Sequence, residues 1–539
     1  MAQVQIVNRP SRWDEPFGYK RLPAEAIADI LSGPVFEGVD RCDFPDDLQP
    51  DQIIANDARI VSHTSGDVIY KAGSYHTTLY VVLSGGVRLR AEPQLNKAAD
   101  HRINSSRNSW IRASLRKARQ LTKRGQGPSA NRQAPRPQAD IVLGRNEIFG
   151  ESEALERTAR TTTAVAETDN TLLLEIRWSG ARELLHWSDA FRRKIEGLYR
   201  ERSIKSGLRQ CSLFADIDDH TLSDIADRCS FETFGGFDWT HAYQRERTIT
   251  TSSDRGAANE PVILEQGQYL EDLFLFHSGF ARVIKRTDQV DTTVGPLKRG
   301  EIVGMREIVE SLRENGTPRA QYGLQAVGYA NVIRIPVHAI EDSVLLSFID
   351  KKMEDAFAGK RNSLRGQQLI DFVVDNRFVN GTKAMAIDTT RCVNCDDCVR
   401  ACAATHNDVA RFDRTGAAHG KFMIANACMH CADPVCLIDC PTDAIQRDVW
   451  SGNVIIDEKT CIGCGTCSSA CPYNNIRMID SRNSAGQLLV DKDGAHVRTA
   501  SKCDLCAGRS SGPACLQACP HNAIERVDLR DPQTLSDWL

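Results

Sequence analysis

Cysteine is scarce in most of this 539-residue chain, and long apolar runs are missing throughout. The first 391 residues contain only Cys42, Cys211 and Cys229, which are best read as small buried hydrophobic residues. No stretch approaches the 18 or so consecutive apolar residues of a membrane span, so we expect none. The N-terminus has neither the apolar core of a signal peptide nor a twin arginine, which predicts a cytoplasmic protein.

Nucleotide-cofactor motifs and strong net charge are also lacking. The chain has no glycine-rich dinucleotide motif and no Gly-x-x-x-x-Gly-Lys-Ser/Thr loop. Its formal net charge of −4 argues against a dedicated nucleic-acid binder, so we expect no DNA partner. A chain of this length is too long for one hydrophobic core, and we expect several domains.

The end of the chain, in contrast, is dense in cysteine. Sixteen of the 19 cysteines fall into four groups of four after residue 391. A thiol-reducing cytoplasm makes structural disulfides an unfavoured explanation for them. The groups are Cys392, Cys395, Cys398 and Cys402; Cys428, Cys431, Cys436 and Cys440; Cys461, Cys464, Cys467 and Cys471; and Cys503, Cys506, Cys515 and Cys519.

Each group begins with Cys-x-x-Cys and ends with x-x-x-Cys, and the third group, CIGCGTCSSACP, matches the bacterial ferredoxin run in full. Two intervening residues let a tight turn wrap three sulfurs around one iron cube, and we expect the fourth cysteine to start a helix. Zinc is the alternative, but its sites usually pair two Cys-x-x-Cys units or include histidine at fixed spacing. Sixteen thiols suffice for four [4Fe–4S] clusters. His430, within CMHC, is therefore not needed as a ligand. We expect it at the surface or behind the ligands.

This region resembles the four-cluster electron-transfer subunits of molybdopterin oxidoreductases, such as dimethyl sulfoxide reductase and respiratory formate dehydrogenase. The stretches CMHCADPVCLIDCPTDAI and SKCDLCAGRSSGPACLQACPHNAI carry the insertions of that family. Ala403 stands where the family often has proline, which affects the exit turn rather than ligation. The ligand sets implied by the resemblance are Cys392, Cys395, Cys398 and Cys519; Cys503, Cys506, Cys515 and Cys402; Cys428, Cys431, Cys436 and Cys471; and Cys461, Cys464, Cys467 and Cys440.

A row of clusters carries single electrons but does not itself rearrange substrate bonds. We therefore expect an electron-transfer subunit of a cytoplasmic, hetero-oligomeric oxidoreductase. Its catalytic partner would be a molybdopterin enzyme, a flavoprotein or a hydrogenase. A free-standing ferredoxin-like protein that reduces a diffusing acceptor is an alternative.

The residues before 386 show a different pattern of short apolar and β-branched runs punctuated by glycine. Residues 66–90 contain LYVVLSGGVRLR, and residues 262–286 repeat their landmarks with LFLFHSGFARVIKR. The repetition predicts a tandem duplication of one β-rich unit. The fold class predicted for the chain is multidomain, with two mainly-β rolls and flanking helices followed by an α+β ferredoxin-like domain.

The stretch IFGESEALERTARTTTAV (148–165) resembles the phosphate-binding cassette of cyclic-nucleotide-binding domains. The resemblance implies cAMP or cGMP at the first β-roll. Gly150 would let the backbone approach the phosphate, and Arg160 would neutralise it. Glu151 would accept the ribose 2′-hydroxyl, and Thr161 would add a hydroxyl contact. The alternative is that Arg160 and Glu151 simply pair with each other or with neighbouring residues.

Both cassettes depart from the family pattern. In the first, Ala159 replaces the usual proline, and Glu153 puts a carboxylate where the family has a small residue beside the phosphate, which would repel it. In the second, Met305 replaces the glutamate, and Arg319 comes fifteen positions after Gly304 rather than ten. We expect the second roll to serve packing or docking.

The alternative function for the whole chain is a cyclic-nucleotide- or redox-responsive regulator, but no recognition helix follows either roll. Between residues 101 and 139 there are ten Lys or Arg and no Asp or Glu, which predicts a flexible loop or, alternatively, an arm for an acidic partner. The expected boundaries are an N-terminal extension (1–51), a first cyclic-nucleotide-binding-like β-roll (52–185, with the basic insertion at about 91–140), a linking helix (186–210), a second such roll (211–345), a helical linker (346–385) and a domain with four [4Fe–4S] clusters (386–530).

Overall fold

The computed structural model describes residues 4–18, 20–91, 140–211, 213–214, 217–235, 260–287, 290–297, 299–314, 316–340, 364–483 and 485–530. The basic insertion predicted at about 91–140 lies outside these residues except at its two ends. The first part of the predicted helical linker, up to residue 363, also lies outside them. Within the described ranges, no helix has both the length and the apolar character needed to cross a bilayer.

The N-terminal part contributes a short strand and two helices. Gln49 and Gln52 form a reciprocal capping box, and Pro50 occupies the first helical turn, where its missing N–H costs nothing. Ile53 and Ile54 are fully buried against the first β-roll. The three elements are β1 (Val4–Ile6), α1 (Ala24–Leu31) and α2 (Pro50–Asp57).

The first roll consists of two four-stranded antiparallel sheets, in agreement with the predicted β-rich fold. Its strands are β2 (Ala58–His63), β3 (Val68–Tyr70), β4 (Leu79–Ser84), β5 (Val87–Ala91), β6 (Ile141–Leu143), β7 (Ile148–Phe149), β8 (Thr162–Ala166) and β9 (Thr171–Ile176). The sheet orders are β2-β9-β4-β7 and β3-β8-β5-β6. Side chains from both sheets share one core, in which the rings of Tyr80 and Phe149 stack 4.8 Å apart.

Three helices accompany the first roll, α3 (Glu151–Glu156), α4 (Trp178–Trp187) and α5 (Asp189–Gln210). The linking helix predicted at 186–210 is thus two helices, because the chain breaks at Ser188. Its hydroxyl oxygen accepts the N–H of Phe191 at 3.3 Å and so caps α5. The predicted boundary at residue 186 falls inside α4.

The second roll is built on one six-stranded sheet. Its elements are α6 (Asp219–Ala226), β10 (Ser230–Gly235), β11 (Val262–Leu264), β12 (Asp272–Thr287), β13 (Val290–Leu297), β14 (Ile302–Val303), α7 (Met305–Glu314) and β15 (Gly323–Pro336). The long strands β12 and β15 pair with a register shift after Gly279. Gly279 has φ +86°, and a Cβ there would lie 2.4 Å from the Tyr329 carbonyl oxygen, so this bulge requires glycine. Ile308 and Val309 of α7 complete the core.

The cysteine-rich region combines short strands with three short helices that carry ligand cysteines. Its central sheet has the order β17-β18-β16-β24, and two further pairs are β19 with β20 and β21 with β23. The elements are α8 (Leu364–Asp375), β16 (Ala384–Asp388), α9 (Asp397–Thr405), β17 (Phe412–His419), β18 (Phe422–Ala427), β19 (Ile445–Arg447), β20 (Val454–Ile456), α10 (Thr466–Ala470), β21 (Arg477–Asp480), β22 (Leu488–Val490), β23 (Arg498–Ser501), α11 (Ala514–Ala518) and β24 (Ile524–Val527).

The N-terminal extension is attached to the cysteine-rich region. Strand β1 pairs in parallel with β22, with Val4 opposite Leu488, and the Val7 N–H continues the ladder to the Val490 carbonyl at 2.8 Å. No sequence pattern predicted this pairing. Short 3₁₀ turns occur at Pro34–Phe36, Arg41–Asp43, Val337–Ala339, Phe378–Asn380 and Val435–Leu437.

Candidate iron–sulfur sites

The sixteen cysteines of the C-terminal region converge into four separate sets of four. Three of these sets each line one pocket. The fourth set packs closely enough that burial, together with the charge of neighbouring thiols, raises the pKa of Cys402 and of Cys515. We name them site A (Cys392, Cys395, Cys398, Cys519), site B (Cys402, Cys503, Cys506, Cys515), site C (Cys428, Cys431, Cys436, Cys471) and site D (Cys440, Cys461, Cys464, Cys467).

Left-handed backbone conformations produce the turns that bring the thiols together. In site A the turn residues Asn394 and Asp396 both have φ +60°. In site D the corresponding residues are Gly463 and Gly465, with φ +70° and +81°. A Cβ at Gly463 would lie 2.0 Å from the Arg498 carbonyl oxygen, so that position accepts only glycine.

Two of the three short helices end just before the fourth cysteine of a group rather than starting there, which corrects the expectation from sequence. Helices α10 and α11 stop one residue before Cys471 and Cys519, each of which is followed by proline. Behind each, a backbone N–H four residues on donates to the cysteine sulfur, from Asn475 at 3.4 Å and from Ala523 at 3.3 Å. These N–H groups stabilise negative charge on the sulfurs.

Helix α9 differs at this point because Ala403 replaces proline. The helix continues through Cys402 and Ala403 to Thr405. The backbone N–H that reaches the Cys402 sulfur comes from Arg411 at 3.3 Å instead. The substitution changes the exit turn and leaves Cys402 beside the other thiols of site B.

The four sites differ in exposure. Cys395 of site A and Cys464 of site D are exposed, whereas no cysteine of site B or site C is exposed. The thiols of site B are all buried. Sites A and D therefore face solvent, and sites B and C form the interior of the region.

Burial makes the free thiols reluctant to ionise. Desolvation raises the pKa of Cys467 to about 12 and the pKa of Cys398, Cys471 and Cys515 to about 11, with neighbouring thiols adding to the effect. Since metals bind the thiolate, loading such a site must displace protons against this preference. Only a group that binds several thiolates strongly offsets that cost.

Two histidines near the sites add detail that the sequence did not supply. His430 is fully buried, not at the surface, and its Nδ1 accepts the Val454 N–H at 3.1 Å. His406 Nε2 lies 3.6 Å from the Cys506 sulfur and 3.4 Å from an Asp504 oxygen, in contact with site B. The buried position of His430 fits the expectation of a place behind the ligands, whereas the contact of His406 with site B was not predicted, because Cys506 and Asp504 lie about 100 residues further along the chain.

The cassette of the first roll is closed by its own side chains. Arg160 is buried and donates to the Gly150 carbonyl at 2.7 Å, the Thr78 carbonyl at 2.6 Å and Glu153 at 3.2 Å. The Thr161 hydroxyl donates to the other Glu153 oxygen at 2.7 Å. A carboxylate of the chain thus occupies the partners expected for a phosphate.

The remaining cassette residue, Glu151, is also paired within the protein. It is 2% exposed and accepts from Arg202 of α5 at 2.9 Å. Gly150 has φ +80°, and a Cβ there would lie 2.6 Å from Arg160 Nη1, so the close approach of backbone and arginine requires glycine. In the second roll, Arg319 is exposed and lies 4.0 Å from the Tyr269 ring centroid.

Comparisons with known proteins agree with the cysteine geometry. Residues 420–529 match the family described as a 4Fe-4S dicluster domain, and group one lies ahead of the matched residues. The electron transport protein HydN of Escherichia coli (strain K12) is 36% identical over 174 residues, which are 30% of this chain and 93% of HydN. Formate hydrogenlyase subunit 2 of the same organism is 32% identical over 178 residues, which are 29% of this chain and 84% of that protein.

Among solved structures, the regulatory domain of Toxoplasma gondii PKA with cAMP is 15% identical, covers 64% of this chain and 99% of its own, and has a TM-score of 0.22. The family and relative matches confirm the predicted iron–sulfur electron-transfer function. They concern the cysteine-rich region, and HydN is matched there over nearly its whole length. The chain therefore belongs to the family of ferredoxin-type 4Fe-4S electron-transport proteins.

Proposed function

We propose that the chain is the electron-transfer subunit of an oxidoreductase complex and holds one [4Fe–4S] cluster at each of the sites A, B, C and D. The observation that carries the proposal is the convergence of sixteen thiols into four sets of four. The sets coincide with the ligand exchange implied by the family resemblance. When bound, each cluster would accept and release one electron.

The proposed electron path runs in the order A, B, C, D. Helix α9 carries Cys398 of site A and Cys402 of site B. Cys467 of site D lies on α10, which ends at Cys471 of site C. Arg526 joins the two halves, since it contacts both the Cys503 sulfur of site B and the Cys428 carbonyl of site C. The exposed sites A and D are then the two ends of the path.

The catalytic partner is a separate subunit, and we propose a molybdopterin enzyme, a flavoprotein or a hydrogenase. Support comes from the relative named formate hydrogenlyase subunit 2, which is by name part of a larger enzyme. A cytoplasmic location suits such a complex, because sixteen cluster thiols need a reducing compartment to stay free of disulfides. A hetero-oligomer follows from the separate catalytic subunit.

For the two rolls we propose a docking role, in which they hold each other and the cysteine-rich region in place. The α3 residue Glu156 lies 2.8 Å from His277 Nε2 and accepts from Arg299 of the second roll at 2.8 Å. The next residue, Arg157, forms a buried ion pair at 2.6 Å with Asp433 of the cysteine-rich region. The end of one short helix thus joins three parts of the chain.

A second contact supports the same role. Trp178 of α4 donates its indole N–H to the Ile438 carbonyl at 3.1 Å, and the Ser179 N–H donates to Asp443 at 3.1 Å. Both acceptors belong to the segment around site C and site D. The internally satisfied cassette of the first roll favours this docking role over regulation by cAMP or cGMP.

The proposal is tested by iron and sulfide analysis of the full chain, purified under nitrogen. We expect about 16 irons per chain and the paramagnetic signals of reduced cubanes. The variant C431S should lower the iron content through loss of site C. C42S is the matched control, because Cys42 is an exposed cysteine outside all four sites. Bound zinc, or full iron content in C431S, would contradict the proposal.

A further inference from the structure

Three basic side chains lie in the interior of the cysteine-rich region beside sites B and C. Lys502 is 3% exposed and Arg447 is 8% exposed. Arg526 is half-buried, and its Nε atom is buried without a hydrogen-bond partner among the described residues. Burying a cation is costly unless a negative charge or enough acceptors compensate it, so the partners of each one matter.

The hydrogen bonds of Arg447 go to neutral groups only, and the nearby carboxylate of Asp433 is already paired with Arg157. Its guanidinium donates to the carbonyl oxygens of Arg157 at 3.0 Å, Gly452 at 2.7 Å, Cys431 at 2.9 Å and Ala432 at 2.6 Å. Burial lowers the pKa of this guanidinium. Two of the four carbonyls belong to the loop that carries Cys431, so the cation is fixed directly behind a thiol of site C.

Lys502 and Arg526 are likewise held by groups other than carboxylates. Lys502 donates to the carbonyls of Val454 and Cys503, the latter at 3.1 Å. Arg526 donates to the Lys383 carbonyl at 3.0 Å and to the Cys503 sulfur at 3.0 Å. In the part of the chain that the structure describes, no ion pair joins Arg447, Lys502 or Arg526 to a carboxylate.

Cluster thiols also face these cations. Lys502 contacts the carbonyl of Cys503 in site B at 3.1 Å and lies near Cys436 and Cys471 of site C. Arg526 contacts the Cys503 sulfur of site B at 3.0 Å and the Cys428 carbonyl of site C at 3.4 Å. A cluster with four thiolate ligands is an anion, and it would supply the negative charge that the protein itself omits.

The outer sites are built differently. At site A the nearby cation is Arg414, which forms an ion pair with Asp396 at 2.6 Å. At site D the charged neighbour of Cys440 is the carboxylate of Asp443. Site B also has a carboxylate close by, Asp504, but this one is paired with Arg411 at 2.9 Å.

We propose that Arg447, Lys502 and Arg526 are the counter-charges of the clusters at sites B and C and raise their reduction potentials above those at sites A and D. This inference rests on the proposed function. Reduction adds one negative charge to a cluster, and a fixed cation in a poorly solvated interior stabilises that charge. No bond forms or breaks and no proton moves. An electron received from the catalytic partner therefore rests in the middle of the path.

The test is a potentiometric titration of the full chain under nitrogen, followed by paramagnetic resonance, with dithionite as reductant and ferricyanide as oxidant. R526Q removes the charge and keeps the approximate shape, whereas R526K keeps the charge. The variants C395S and C464S, which remove sites A and D, assign the signals. R414Q is the matched control, because it removes a cation that already has a carboxylate partner.

We expect R526Q to shift the potentials of the inner clusters downward, R526K to stay close to the wild type, and R414Q to leave the inner clusters unchanged. Loss of an inner cluster in R526Q but not in R526K would support the counter-charge role as well. Unchanged inner potentials in R526Q, or equal effects of R526Q and R526K, would overturn it. Iron content measured first separates the two proposals, since a wild-type chain without clusters contradicts the proposed function itself.

Discussion

At the scale of single residues, Glu153 is the most informative position of the first roll. The sequence identified it as a departure that would repel a phosphate. The structure shows that its two oxygens instead satisfy Arg160 and Thr161. The positions of the cassette residues relative to one another could be predicted from the sequence, because all of them lie within the eighteen residues 148–165. The direction of one side chain could not, because it depends on packing against strands elsewhere.

We predict that cAMP and cGMP leave the stability of the chain unchanged, and that E153A lowers it. Among the described residues, Glu153 is the carboxylate that pairs with the buried Arg160, and breaking such a pair costs about 3 kcal/mol. Urea unfolding of the chain with and without nucleotide measures both effects, because a ligand that binds the folded state raises its stability.

The control for this experiment is E196Q, which removes an exposed pair with Arg200 on α5 and should cost less than about 1 kcal/mol. An unfolding midpoint that rises with either nucleotide in the wild-type chain would contradict the closed cassette. A midpoint for E153A equal to that of E196Q would show that Arg160 does not depend on the carboxylate.

At the scale of secondary-structure elements, the short helices of the cysteine-rich region show what proline decides. Helices α10 and α11 end before a cysteine that is followed by proline, whereas α9 runs on through Ala403. The cysteine spacing gave the four groups of the sequence, and the family resemblance implied which thiols would share a site. The spacing did not predict that the helix precedes the fourth cysteine, because it is the same in either arrangement.

We expect A403P to destabilise site B. Proline at this position removes a helical N–H hydrogen bond and clashes with the preceding turn, at a cost of about 3 kcal/mol. The turn after the helix also depends on the Ala403 carbonyl, which accepts the N–H groups of His406 and Asp408, both at 2.9 Å. Iron release to a chelator should be faster in A403P than in the wild type.

A403S serves as the comparison, since serine keeps the N–H and costs only about 0.5 kcal/mol in a helix. Equal iron release from A403P and A403S would mean that the longer helix contributes nothing to site B.

At the scale of the whole molecule, the contacts between distant segments decide the arrangement. The order of two β-rolls and a cluster domain was predicted from repeats and cysteine groups. The pairing of β1 with β22 and the ion pair of Arg157 with Asp433 were not. Such contacts join segments that are far apart in the chain, and no local pattern encodes them.

The buried carboxylate of Glu156 leads to a prediction about pH. Burial opposes its ionisation, but Arg299, His277 and Tyr199 outweigh burial and lower its pKa to about 2, from an ordinary value of 4.5. The ionised form therefore stabilises the contact between the rolls above pH 4.5. This contribution, about 3 kcal/mol, is lost as pH falls from 4.5 towards 2.

Urea unfolding of the wild type and of E156Q measures this contribution. The difference in stability should be largest near pH 7 and shrink below pH 4.5, because protonated Glu156 resembles glutamine. E196Q should show no such pH dependence, since its partner is exposed. A difference between wild type and E156Q that is constant down to pH 3 would contradict the lowered pKa of Glu156.

The uneven exposure of the four sites has a further consequence for the reaction of the molecule with dioxygen. Cys395 and Cys464 are the exposed thiols of sites A and D, whereas the thiols of site B are fully enclosed. Oxidants that diffuse through water reach the two ends first. On the proposed electron path, a chain damaged in air would therefore lose the clusters of sites A and D first, and electrons on the clusters of sites B and C could no longer leave the chain.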